Sequence, residues 1–99
     1  MRMYYNYTSP SLFPNLESIM RKAWLQLFGS MIQEIRETAG RTLEEASQLA
    51  GMFSLEWAAI EAGYIPADPS RLRPMADALG IPFGQLESLV ARCHGPWQD

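Results

Sequence analysis

The chain has 99 residues, of which 47% are hydrophobic and 19% charged, a composition that suits one soluble globular domain and is too short for two. Its net charge of −3 gives no global attraction to phosphate or to an anionic membrane, so any nucleic-acid binding must come from a local basic patch. The single cysteine, Cys93, excludes an internal disulfide and fits a reducing cytosol, and no apolar run approaches the roughly 20 residues of a membrane span.

Residues 1–14 carry three tyrosines, one phenylalanine and two prolines with no helical period. They read as a flexible aromatic-rich tail, or as an aromatic arm that packs on a partner subunit. They hold no apolar block of signal-peptide length, which points to a cytoplasmic protein.

Asn15 can cap a helix whose apolar positions run from Leu16 through Ile19, Trp24 and Phe28 to Ile35 in steps of three, four and one. Gly29-Ser30 interrupts the pattern. The expectation is either two helices, over 16–28 and 30–38, or one helix kinked at Gly29. Gly40 closes the segment as a C-terminal cap.

Thr42 and Glu45 have the spacing of a capping box, in which the hydroxyl accepts an early N–H and the carboxylate reaches back. This predicts a helix over 43–50, with Leu43, Ala46, Leu49 and Ala50 inward and Gly51 as its stop. Phe53 or Ser54 opens a third helix over 55–62, closed by Gly63. At 100° per residue Trp57, Ile60 and Glu61 share one side, which must be the core side. The outer face is Leu55, Ala58, Ala59 and Ala62, with Tyr64 beyond.

Asp68 is a good cap and Pro69 fits a first helical position. Pro74 inside a helix would cost about 3 kcal/mol, so the expectation is a turn over 69–72 and a helix over 73–79, stopped by Gly80. A last helix starts at Pro82 or Phe83 and runs to Cys93, with Phe83, Leu86, Leu89 and Val90 inward and Gly95-Pro96 after it. The chain reads as all-α, with five or six short helices.

The ordered set GSMIQEIRETAGRT, LEEASQLAGM, WAAIEAG and LRPMADALGIPFGQL resembles the lambda-repressor/Cro-like, or xenobiotic-response-element, helix-turn-helix family over about residues 29–89. The resemblance implies a five-helix DNA-binding domain at 29–93. To this the chain adds an N-terminal helix at 15–28 and tails at 1–14 and 94–99. It also implies a bacterial or phage protein that regulates transcription, commonly as a homodimer on double-stranded DNA.

By the same resemblance, Arg36 and Glu61 occupy the positions of a structural ion pair between the first and third helices. The base-facing positions would be Ser54, Leu55, Glu56, Ala58 and Ala59, where bidentate readers such as Arg, Lys, Asn or Gln usually stand. None of those types is present. Arg41, Arg71 and Arg73 could flank the groove and hold phosphates, or could be solvated surface charge. Three such contacts would give a salt slope of only about −2.7.

A second expectation is a scaffold that binds protein, or dimerises, with little DNA binding. Its candidate contact residues are Leu55, Ala59, Ala62 and Tyr64 around the third helix and Trp24, Leu25 and Phe28 on the N-terminal helix, since exposed apolar patches often mark interfaces.

Catalysis is not expected. His94 beside Cys93 points about 100° away from it on a helix, and a lone Cys-His pair is not a zinc site. No metal or cofactor is predicted, and Glu44 and Glu45 have a capping explanation.

Overall fold

The computed structural model describes residues 16–94, so the readings of residues 1–15 and 95–99 as tails and terminal caps lie outside the described residues. Five α-helices follow one another: α1 Leu16–Thr38, α2 Leu43–Leu49, α3 Ser54–Glu61, α4 Leu72–Leu79 and α5 Phe83–His94. A short 3-10 turn, Pro69–Arg71, precedes α4, and no strand occurs among the described residues.

Of the two alternatives at Gly29, the single helix is the one formed: α1 runs 23 residues without a break. Glycine is needed there for another reason. A Cβ on Gly29 would collide with the Glu61 carbonyl and stand 2.9 Å from the Gly63 nitrogen. The missing side chain lets the end of α3 lie directly on α1. Gly63 answers from the other side. Its φ is +116°, and a Cβ on it would sit 3.2 Å from the Leu25 carbonyl oxygen.

The capping box forms at α2. Thr42 Oγ1 accepts from the Glu45 N–H at 3.1 Å, and the Thr42 N–H donates to Glu45 Oε1 at 2.9 Å. Asp68 caps the 3-10 turn by accepting from the Ser70 N–H at 3.0 Å, which holds its carboxyl below the usual range. One sequence expectation needs correction. Leu49 is not inward: it is 57% exposed, and Ser47 takes the buried place. Burying Ser47 is tolerable because its hydroxyl donates to the Glu44 carbonyl at 2.9 Å. The turn and helix after Asp68 fall within one residue of their expected bounds: α4 starts at Leu72, with Pro74 third in the helix. An N–H at that position has no intrahelical acceptor, so proline there forfeits no hydrogen bond.

The core is formed by all five helices. Phe28 and Ile32 of α1, Ala46 of α2, Trp57 and Ile60 of α3, Met75 and Leu79 of α4, and Leu86 and Cys93 of α5 are essentially buried. Cys93 behaves as a small core hydrophobe, and burial pushes its thiol up. Helix α1 is the spine, packing against α3, α4 and α5, while α2 bridges α3 and α4.

Candidate nucleic-acid interface

The unit that could face DNA is α2, the turn after it, and α3. The turn is set by Gly51 at φ +69°, which allows the Met52 N–H to reach back to the Ser47 carbonyl at 2.8 Å. Ser47 Oγ lies 3.4 Å from Ser54 Oγ, a contact that ties the start of α3 to the middle of α2. The inward side of α3 is Trp57 and Ile60, both fully buried.

The other end of α3 is held to α1. Arg36 donates from Nε to Glu61 Oε2 at 2.6 Å and from Nη2 to Glu61 Oε1 at 3.1 Å, a bidentate fork. The Trp57 indole N–H donates to Glu61 Oε2 at 2.7 Å, and Arg36 Nη1 donates to the Arg41 carbonyl at 2.9 Å. Each partner side chain of the pair is only 9% exposed. Hydrogen bonding to Glu61 raises the Arg36 pKa against the opposing effect of burial, so its charge is fixed.

With its inward side so engaged, α3 turns the opposite side to solvent. Ser54, Leu55 and Ala59 are exposed, Ala58 is half-buried, and Ala62 and Tyr64 are exposed just beyond the helix. Leu55 is 85% exposed. Glu56 does not point freely outward: its Oε2 is 2.6 Å from Arg71 Nη2.

That pair changes the reading of the basic residues. All three arginines considered for phosphate already have an internal partner. Arg71 neutralises Glu56. Arg41 donates from Nη1 to the Ala78 carbonyl at 2.6 Å, satisfying one of the last carbonyls of α4. Arg73 stacks on the Phe83 ring, 4.2 Å from its centroid. Of the three, Arg73 is the exposed one, and its cation–π contact uses the face of the guanidinium and not its edge, so that contact leaves its N–H groups unoccupied.

The N-terminal contact candidates divide. Trp24 and Leu25 are half-buried, but Phe28 is fully buried in the core and presents no surface to a partner. Its place on the wheel with Ile32 and Arg36 puts it on the inward side. Phe53 departs in the opposite sense. A helical wheel sets it near Trp57, yet it is the N-cap, with φ −73° and ψ 151°, and this extended backbone turns its ring out to 84% exposure. The signal for this lies in its position one residue before the helix.

Among the described residues no three His, Cys, Asp or Glu side chains lie together as a metal site, and no helix is long and apolar enough to cross a membrane. A family model described as a helix-turn-helix domain matches residues 27–89. No curated protein and no solved structure matches the chain.

Proposed function

Because this chain belongs to the helix-turn-helix domain family, we propose that it is a cytoplasmic transcriptional regulator of the lambda-repressor/Cro-like type, of bacterial or phage origin, which presents α3 to the major groove of double-stranded DNA as a homodimer. The observation that carries this reading is the open outer face of α3 on an intact α2–turn–α3 unit.

The chemistry of that face limits what it can read. Leu55 and Ala59 suit a thymine methyl group, and Ser54 supplies one hydroxyl. No side chain there makes a bidentate contact to a base edge. Arg73 is the most exposed of the three arginines and the one whose contact occupies no N–H, so from it a dimer offers about two phosphate contacts and a salt slope of about −2. Binding should be weak and only mildly selective.

Fluorescence anisotropy with random duplex DNA tests this. The expected result is micromolar binding at low salt, weakened by Arg73→Glu. Absence of binding at tens of micromolar would remove the DNA reading.

A second reading rests on Phe53 and Leu55, 84% and 85% exposed at the tip of the helix-turn-helix unit. Two large apolar side chains so far from their own core suit a protein surface, with Ala59, Ala62 and Tyr64 continuing it along α3. Failure to bind DNA, together with loss of a protein contact on Leu55→Glu, would favour it.

A further inference from the structure

We propose that Glu56 reads a cytosine, accepting a hydrogen bond from its exocyclic amine in the major groove, and that Arg71 is the counter-ion that lets a carboxylate enter there. This rests on the α3 reading above and adds to it the base that α3 selects.

Glu56 is the third residue of α3, in the half of a recognition helix that approaches base edges. It lies about 60° around the helix from Ala59, at the rim of the exposed face. Its side chain keeps 27% of its surface open. A lone carboxylate in that place would be repelled by the phosphates on either side of the groove. Arg71 removes the objection. Its Nη2 stands 2.6 Å from Glu56 Oε2, so the two side chains enter with no net charge between them.

The backbone prepares this pairing. Arg71 is the last residue of the 3-10 turn, where its own N–H donates to the Asp68 carbonyl at 3.0 Å. The Asp68 carboxylate accepts from the Ser70 N–H at 3.0 Å and closes the turn. Glu56 is held on its side by the first turn of α3, its N–H donating to the Phe53 carbonyl at 3.0 Å. Both stems are therefore fixed before any DNA arrives, which lowers the cost of ordering the pair on binding.

A carboxylate then selects the base by its own chemistry. It only accepts, and it has about four acceptor positions, of which a guanidinium fork takes two at most. Capacity for a further donor remains after Arg71 is bound. In the major groove guanine offers N7 and O6, and thymine offers O4 and a methyl group, so neither presents a donor. Adenine sets its amine beside N7, an acceptor that a carboxylate repels. Cytosine alone presents a donor and nothing else. Discrimination comes from rejecting three bases as well as from binding the fourth. Leu55 and Ala59 suit thymine methyl groups and the Ser54 hydroxyl suits any base, so Glu56 is the side chain on this face that can demand cytosine.

Selection from a randomised duplex pool by the full chain at low salt, followed by sequencing of the bound fraction, tests this. The expected result is one position per bound copy at which cytosine is enriched roughly 5-fold over each other base. Glu56→Gln keeps an oxygen for Arg71 and gains a donor, so adenine should replace cytosine at that same position. Glu56→Ala should leave the position without preference. Arg71→Met should keep the cytosine but weaken binding to every duplex, because Glu56 then meets the phosphates uncompensated. Bound sequences with no cytosine position overturn the proposal, and so does a cytosine preference that survives Glu56→Gln. Should that variant fail to fold, Glu56→Ala decides in the same way. Undiminished binding by Arg71→Met overturns the counter-ion role. A parent chain that enriches no duplex at tens of micromolar overturns the α3 reading itself, and this inference with it.

Discussion

Glu61→Ala should destabilise the protein by about 3–5 kcal/mol, more than loss of a surface pair, because it leaves two groups stranded at once. The Arg36 guanidinium loses both prongs of its fork, and the Trp57 indole N–H loses its acceptor, in a site where Arg36 is 8% exposed and Trp57 wholly buried. A buried donor without an acceptor costs about 1–3 kcal/mol by itself. Arg36 would keep its bond to the Arg41 carbonyl, which places the expected loss toward the lower end of the range. Glu61→Gln should cost less, since the amide oxygen can still accept from the indole. Urea denaturation of the two variants checks the order. In a double-mutant cycle with Arg36→Met, the combined loss should fall short of the sum of the single losses. A Glu61→Ala variant as stable as the parent would show that α1 and α3 are held by packing alone.

Gly29→Ala is the second large effect. Alanine ordinarily improves a helix interior by about 1 kcal/mol over glycine. Here the added methyl group meets backbone and not a movable side chain: the Glu61 carbonyl carbon at 2.6 Å and the Gly63 nitrogen at 2.9 Å. Relief requires α3 to withdraw from α1, and that movement also draws the Glu61 carboxylate from Arg36. Overpacking of this kind typically costs about 1–3 kcal/mol, so the net change should still be destabilising. Gly84→Ala is the comparison. Gly84 lies in α5, where an added methyl group would have nothing within 4 Å, and its replacement should stabilise by a few tenths to about 1 kcal/mol. Thermal or urea unfolding of both should show opposite signs. Equal stabilisation by the two substitutions would mean that the α1–α3 approach is not close.

The local features of this fold were legible because their causes are local. The capping box at Thr42 and Glu45 and the Asp68-Pro69 start are hydrogen-bond patterns within a few residues. Where a choice depended on what lies across the core, periodicity could not make it. Leu49 and Ser47 are both compatible with an amphipathic α2. The inward place went to the residue that satisfies its own hydroxyl and sits beside Ser54. The turn and helix around Pro74 fell within one residue of expectation, because a proline is tolerated in a first turn and so fixes where the helix can begin.

The interface was legible in outline and not in its charge. The face of α3 follows from Trp57 and Ile60 being inward. The partners of the arginines do not follow from any spacing: Arg41 meets a carbonyl 37 residues on, and Arg71 meets a carboxylate on a different helix. A count of basic residues therefore overstated the positive surface available to a phosphate backbone.

If this helix-turn-helix unit holds its cations in internal contacts, Glu56→Ala should set one of them free. Releasing Arg71 in both copies of a dimer should add about two phosphate contacts, tighten binding to random duplex DNA, and steepen the log–log salt slope by about 1.8. Glu44→Ala is the control: it removes the same charge from the exposed side of α2 without freeing an arginine, so it should leave the slope unchanged. A Glu56→Ala protein with the slope of the parent, or one matched by Glu44→Ala, would mean that Arg71 was never withheld from phosphate.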